Sequence, residues 1–384
     1  MQQTRQKKRI LIDVNPTVSF FVNGRMSGIG RTTMELVQEL SLIDNLPFDI
    51  ELYSQNFKGI GALNINVPFR KHHLYLRNQK TWNKTIAKFP IREWLTGYDL
   101  MHITHNFEYV RHPERCIVTL HDALFMRFQE KAFEHELMKK IVPPFIRKCK
   151  YVITCSHASK RDIIETMKIS ENKISVIYWG INHNIFKQIN NKSYVQHIIA
   201  NKYGIHFPYF LSVSCNIERK RTDILINSYI AYCHNHIPKN DLVLVWRDAP
   251  AKIMKQIHTS SCRQRIHILN GLSDSELALF YNGAKTLIFP SSYEGFGLPI
   301  IEAMACGTPV ITCNNSSLSE IGGKAAIYID EPIEESLYSC LETIENDAIE
   351  LVHFSKLGLK RAQLFRWEKA AQKTIEVYSK CLIK

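Results

Sequence analysis

Short apolar runs alternate with amphipathic stretches along the whole chain. The first run, Arg9-Ile10-Leu11-Ile12-Asp13-Val14, has the length and flanks of a strand buried on both faces. A loop with Gly24, Gly28 and Gly30 follows, then a helical stretch over 31–40 with Leu36, Val37 and Leu40 on one face. The same reasoning predicts strands at 48–53, 100–103, 116–120, 151–155 and 173–178, and helices at 132–148 and 158–167. Strand–helix alternation of this kind predicts an α/β fold whose parallel sheet is covered on both faces.

The pattern weakens over 187–207, a polar stretch rich in Asn and Lys, and then restarts. Strands are expected at 210–214, 242–246, 266–269, 286–289, 309–312 and 326–329. The expectation is therefore two Rossmann-like doubly wound domains, 1–186 and 208–364, joined by a linker region at 187–207. Such sheets bind ligands beyond the C-terminal ends of their strands, which places the expected site in a cleft between the two.

A length of 384 residues suffices for two cores, and 45% hydrophobic with 22% charged residues is ordinary for a globular protein. No apolar run approaches the roughly 20 residues that span a bilayer, and residues 1–9 are polar and basic, unlike a secretory signal. A cytoplasmic protein is expected. The ten cysteines include no C-x-x-C pair and read as free, mostly buried thiols. The formal charge of +13 is uneven, since residues 1–185 hold 27 Lys and Arg against 17 Asp and Glu. A basic half of this kind suits nucleic acid, acidic substrates or an anionic membrane.

The chemistry is concentrated in residues 289–311, FPSSYEGFGLPIIEAMACGTPVI, which read strand, glycine turn, helix, glycine stop, strand. Pro299 suits the first turn of a helix and Gly307 its end. Glycines at 295 and 297 let a ligand approach the backbone, and the N-terminus of the helix favours a diphosphate. Glu294 and Glu302 can accept hydrogen bonds from sugar hydroxyls on either side of it.

Glu294 and Glu302 form the E-x7-E pattern of the family-4 glycosyltransferases, and Glu294-Gly295-Phe296-Gly297-Leu298-Pro299 resembles that family's commonest wording. The resemblance implies the two-domain GT-B fold. It implies that Glu294 contacts the donor hexose, Glu302 the ribose, and the backbone at Phe296, Gly297 and Leu298 the sugar and phosphate. Residues 211–221 resemble the family's strand and loop in which an Arg-Lys pair meets the diphosphate; here Arg219, Lys220 and Arg221 compete for that role. Val118-Thr119-Leu120-His121-Asp122 resembles the first-domain strand ending in His-Asp, with His121 turned to the sugar and Asp122 capping the next helix. Ser27-Gly28-Ile29-Gly30-Arg31 resembles the first glycine loop, with Gly30 near the donor phosphate, and Asn270-Gly271-Leu272-Ser273 the loop that meets the nucleobase at Leu272. Trp179 stands where the family usually carries Asn. Residues 365–384 resemble the terminal helix that returns to complete the first domain.

No D-x-D occurs, and His72-His73 and His102…His105 show no carboxylate partner at metal spacing, so neither metal nor cofactor is expected. The resemblance implies retention of configuration, with the departing diphosphate accepting the acceptor's proton and Arg219 and Lys220 stabilising it. The expected donor is GDP-mannose first and a UDP-sugar second, and the acceptor a saccharide or lipid-linked saccharide of a surface polysaccharide. Alternatives are a nucleotide-sugar epimerase or sugar phosphorylase on the same fold, or a silent sugar-nucleotide-binding protein. A dinucleotide oxidoreductase lacks its G-x-G-x-x-G fingerprint. Residues 70–94 interleave seven basic side chains with Tyr75, Trp82, Phe89 and Trp94, and a second cluster (Lys139, Lys140, Arg147, Lys148, Lys150) flanks Ile141-Val142 and Phe145-Ile146. Both suggest peripheral contact with an anionic membrane rather than nucleic acid.

Overall fold

The computed structural model describes residues 7–24, 27–75, 88–128, 133–206, 208–346 and 348–383. They form two compact units, Met1–Gly180 with Trp367–Lys384, and Ile181–Arg366. The chain thus changes unit at 180/181 and again at 366/367, rather than through a linker at 187–207. Residues Lys192–Tyr203 of that stretch form a helix of the second unit, capped by Asn191 and packed on the helix Asp274–Gly283. Only Val195 and Ile199 of it are buried, a stripe too narrow to register as periodicity among Asn and Lys.

The first sheet comprises β1 (Lys8–Asp13), β2 (Phe48–Gln55), β3 (Arg70–Leu74), β4 (Leu100–Ile103), β5 (Cys116–Thr119), β6 (Tyr151–Thr154) and β7 (Ile174–Val176). Its order is β3-β2-β1-β4-β5-β6-β7, with every pairing parallel. The second comprises β8 (Tyr209–Cys215), β9 (Asp241–Arg247), β10 (Ile266–Leu269), β11 (Thr286–Phe289), β12 (Val310–Cys313) and β13 (Ile327–Ile329), in the order β10-β9-β8-β11-β12-β13 and again parallel. The chain reverses its direction of travel across each sheet between β1 and β4, and between β8 and β11. A crevice opens at such a switch point, beyond the C-terminal strand ends.

Two further elements differ from expectation. The helix after β1 starts at Gly28, because the Ser27 hydroxyl accepts the Gly30 N–H at 3.0 Å and caps it; Gly30 is thus a buried helical residue and not a loop residue. Strand β3 reads Arg-Lys-His-His-Leu, an edge strand with no apolar signature.

The C-terminal helix Trp367–Ile383 packs on the helix Gly28–Leu40 and on β4 within the first unit. Its Tyr378 is fully buried and donates its hydroxyl to Nδ1 of His102 at 2.6 Å, while His102 Nε2 meets Thr119 Oγ1 at 2.8 Å. Tyr378→Ala removes both ring and hydroxyl and is expected to destabilise the protein by about 3–5 kcal/mol, against about 1 kcal/mol for Tyr378→Phe. Urea unfolding of the two variants measures the difference.

Candidate active site

The loop after β8 and the loop after β11 bring three of the expected residues together. Arg219 and Lys220 lie in a single turn, Glu218–Lys220, that follows β8. Arg219 Nη1 donates to Glu294 Oε1 at 2.8 Å and to the Tyr293 carbonyl at 2.8 Å, and Lys220 Nζ meets the same Oε1 at 2.5 Å. Ser291 Oγ adds a third donor to that oxygen at 2.7 Å, and Lys220 also lies 4.7 Å over the Phe289 ring. Burial alone would raise the Glu294 pKa; the charges of Lys220 and then Arg219 reverse the effect and hold the carboxyl below its usual value. Arg221 takes no part. With φ at 52° it turns the chain into the helix Thr222–Asn235, and so leaves Arg219 and Lys220 as the pair on Glu294.

Past Glu294 the backbone is pinned from a third segment. Ser317 Oγ donates to the carbonyls of Glu294 and Phe296, each at 2.9 Å, and Ser316 Oγ accepts the Glu294 N–H at 3.1 Å. Gly297 then adopts φ 110°, which a side chain rarely tolerates, and starts the helix Leu298–Ala305. The first-turn N–H groups of a helix have no partner within it, so this end can receive an anion. Phe296 is buried, its ring edge-on to Phe365. Glu302 is buried one turn into the helix, where Tyr281 donates to its Oε2 at 3.0 Å. Leu272 follows Gly271, at φ 70°, in the turn before Ser273, whose capping box with Glu276 starts the next helix.

His121 lies in the first unit, just beyond β5. Its Nε2 is 3.0 Å from the Thr104 carbonyl, an acceptor only, which fixes the proton on Nε2 and leaves Nδ1 as the lone-pair nitrogen. Burial pushes its pKa down to about 4 against the raising effect of that hydrogen bond, so the ring is neutral. Trp179 lies tilted against it, with ring centroids 5.6 Å apart, and itself stacks on Trp367 at 6.0 Å. Asp122 Oδ1 accepts the Leu124 N–H at 3.0 Å and shapes the turn into the helix Leu124–Arg127.

Two of the histidines expected to lack carboxylate partners do have them: His72 Nε2 lies 2.7 Å from Glu51 Oε2, and two carboxylates face His105. Its Nε2 lies 3.6 Å from Asp13 Oδ2 and 4.0 Å from Glu108 Oε2, and the three groups could together hold a cation. Arg92 is buried beside them, 3.8 Å from Glu108 and over the Tyr53 ring. It therefore belongs to the interior and not to the basic surface inferred for residues 70–94.

Two family profiles match, one on each half of the chain. That described as Glycosyltransferase Family 4 matches residues 26–185, and that described as Glycosyl transferases group 1 matches 198–361. The chain is a family-4 glycosyltransferase. The O-antigen chain mannosyltransferase RfbU of Salmonella typhimurium is 27% identical over 235 residues, which is 60% of this chain and 62% of that one. The O-antigen chain mannosyltransferase B of Escherichia coli is 24% identical over 377 residues, 92% of this chain and 96% of that one. Among solved structures, HepE of Anabaena in complex with UDP-glucose superposes with a TM-score of 0.74 at 18% identity, over 97% of this chain and 99% of that one. The two parallel sheets are those of the GT-B fold.

Sequence reasoning assigned no role to Ser291, Tyr281 or Trp367 in this glycosyltransferase, although each touches a residue that it did single out. Ser291 lay within the quoted motif. Tyr281 and Trp367 carry no local signal, because their contacts come from helices distant in sequence.

The buried histidines make acid stability testable. Burial pushes His102 down to about 3 and His121 to about 4, and lowers His105 as well, whereas Asp13 is pushed up to about 6 by burial. Each histidine binds its proton less readily folded than unfolded, where the pKa is about 6.5, so its contribution is full above 6.5 and is lost as pH falls. Asp13 has the opposite sign: its contribution is full below its unfolded value of 3.8 and is lost as pH rises through about 6. His102 and His121 together outweigh Asp13, while His105 adds to the uptake and Glu108, whose carboxyl burial also pushes up, subtracts from it, so unfolding near pH 5.5 should take up on the order of one proton. The thermal midpoint is expected to fall between pH 7 and pH 4.5; a flat or rising profile contradicts neutral burial.

Proposed function

We propose that this glycosyltransferase is a retaining mannosyltransferase that transfers mannose from GDP-mannose to a saccharide of a surface polysaccharide. The observation that carries the reading is the cation pair Arg219–Lys220, held on Glu294 beside the N-terminus of the Leu298–Ala305 helix. Two cations and a helix N-terminus neutralise a departing nucleoside diphosphate as its charge develops. The anomeric C–O bond to the diphosphate breaks, the bond to the acceptor oxygen forms on the same face, and the acceptor's proton passes to the departing phosphate oxygen. The three donors on Glu294 converge on Oε1, so Oε2 can receive a hydroxyl of the donor hexose. Glu302 is proposed to meet the ribose, the backbone at Phe296, Gly297 and Leu298 the sugar and diphosphate, the Leu272 loop the base, and Gly30 the phosphate. His121 Nδ1 is proposed to accept a hydrogen bond from a sugar hydroxyl. The mannosyltransferase relatives favour mannose. A UDP-sugar is the second donor to test, since HepE was captured with UDP-glucose.

A thermal-shift series with GDP-mannose, GDP, UDP-glucose and UDP tests the donor, because a ligand at 100 times its Kd stabilises by about 2.7 kcal/mol. Glu294→Gln and Lys220→Ala are each expected to reduce transfer at least 100-fold while the unliganded protein stays folded. Wild-type turnover in either folded variant would sink the site assignment.

A lipid-linked acceptor and contact with an anionic membrane extend the same proposal. Tyr75, Phe89, Trp94 and Leu95 are exposed, Trp94 most of all at 77%, with Lys88, Arg70 and Arg111 on the same unit's surface. Trp82 and the basic residues Arg77, Lys80 and Lys84 lie outside the described residues. The second cluster offers less than its sequence implied, since Val142, Phe145 and Ile146 are core residues. No helix among the described residues is long and apolar enough to cross a membrane. Co-sedimentation is expected with anionic but not neutral vesicles, weakened by salt and by Trp94→Ser; equal recovery in the supernatant with both lipids excludes the contact.

A further inference from the structure

A group of polar side chains in the first unit gathers around one imidazole nitrogen. Asp13 ends β1, and His105 and Glu108 follow the neighbouring strand β4. Each carboxylate is divided in the same way. Asp13 Oδ1 accepts the Asn15 N–H at 2.9 Å, whereas its Oδ2 is buried with no hydrogen-bond partner. Glu108 Oε1 accepts the Tyr109 N–H at 2.8 Å, whereas its Oε2 turns to His105. These two remaining oxygens lie 3.6 and 4.0 Å from His105 Nε2, beyond hydrogen-bond distance. A buried polar cluster ordinarily satisfies its members, as His102 shows with both ring nitrogens bonded.

Whatever completes the group meets two carboxylate oxygens and an imidazole nitrogen at once. One such atom from each residue lies within 4.8 Å of the other two. The point equidistant from the three is roughly 2.1–2.5 Å from each, which is the range of divalent cations on nitrogen and oxygen ligands. A water molecule needs about 2.7–2.8 Å to each oxygen, so the same space is short for it. An ion requires no cavity beyond the gap between its ligands, and 19% of the His105 side chain and 11% of the Glu108 side chain reach solvent to admit one. The hydrogen bonds on Asp13 Oδ1 and Glu108 Oε1 are of the kind that orient metal ligands from outside. Arg92 approaches Glu108 at Oε1 rather than at the oxygen that faces His105.

We propose that Asp13, His105 and Glu108 form a structural site for one divalent transition cation, manganese or zinc in type, with water in its open positions. The mixed donor set decides the class. An imidazole with two carboxylates suits these ions, whereas magnesium and calcium take oxygen ligands. The sequence carries no metal spacing here, because only the pairing of β1 with β4 brings residue 13 to residues 105 and 108. Thr104 shows what such an ion fixes. Its hydroxyl donates to the Asp13 carbonyl at 2.7 Å, and its carbonyl accepts from His121 Nε2 at 3.0 Å. Tying the next residue, His105, to the end of β1 therefore holds the backbone that orients His121, with no nucleotide or sugar taking part.

The test uses the full chain, stripped with a chelator, exchanged into chelator-free buffer and titrated calorimetrically with manganese and, separately, with zinc. Wild type is expected to bind one equivalent of either ion without nucleotide, to gain a higher thermal midpoint when loaded, and to keep the ion in excess magnesium. Asp13→Asn and Glu108→Gln keep the shapes of their side chains and are expected to weaken binding by about tenfold or more; far-ultraviolet circular dichroism reports whether each is folded. His236→Ala breaks an exposed imidazole–carboxylate pair with Glu342 in the second unit, and should bind the ion as wild type does. Neither ion bound by wild type, unchanged binding in the folded Asp13 and Glu108 variants, or loss in the His236 variant instead, overturns the site. Binding that needs added GDP also overturns it, since that ion belongs to the nucleotide. The acid-stability profile is measured on the ion-free protein.

Discussion

Glu294 keeps a negative charge where almost no water reaches it, and two cations from another loop make that possible. An unpaired buried carboxylate costs several kcal/mol, so each of the four groups is placed by the others. Arg219 and Lys220 come from the turn after β8, and Ser291 comes from the loop after β11. Ser316 and Ser317, after β12, hold the backbone of that same loop. One carboxylate therefore joins neighbouring strand ends, and the conformation of 290–297 follows, including the positive φ at Gly297 that starts the next helix. Removing either cation would also leave charge behind, and so disturb the loop as well as the chemistry.

The first unit shows three histidines in graded states. His102 has both ring nitrogens bonded and belongs to the core. His121 has its Nε2 engaged with the Thr104 carbonyl, which orients the ring and frees the other nitrogen for a ligand. His105 faces its carboxylates at distances longer than a hydrogen bond. Satisfaction of hydrogen-bonding capacity thus separates the structural histidine from the two at the strand tips, although all three have lowered pKa values. A depressed histidine pKa by itself reports burial and not a role.

Much of the fold was legible because central parallel strands are apolar on both faces; Ile10, Leu11 and Ile12 are all fully buried and read as such. The second unit's candidate site was legible for a different reason. Strand end, turn and helix start are contiguous there, so Glu294, Gly297 and Leu298 announce themselves in one short segment, and only the Arg219–Lys220 contact needed the fold. The polar edge strand β3 and the narrow-striped helix Lys192–Tyr203 had no such pattern. Arg92 was misread because charge in sequence says nothing of direction; its partners Tyr53 and Glu108 are brought to it by β2 and by the loop after β4. Asp13 and His105 are 92 residues apart, and only the parallel pairing of β1 with β4 sets them side by side.

The state of Glu294 also bears on how the proposed transfer handles its proton. A retaining glycosidase relies on a carboxylate that attacks the sugar and a second that exchanges protons, the two about 5–5.5 Å apart. Glu294 is poorly suited to either task, because two cations and a hydroxyl already draw on its Oε1 and its pKa is held down. A carboxylate stabilised in this way is a weak base and a weak nucleophile, since the charge it would donate is engaged elsewhere. Glu302 gives no substitute: it is buried in a helix and bonded to Tyr281. His121 is neutral, but its lone-pair nitrogen is a weak base, with a pKa near 4. The strongest base that the proposed reaction itself supplies is the departing diphosphate, whose oxygen gains charge as the anomeric bond breaks. Proton transfer to that oxygen removes the need for a protein base, and the arrangement around Glu294 is what this route requires: a carboxylate fixed as a hydrogen-bond acceptor and two cations fixed beside a helix N-terminus.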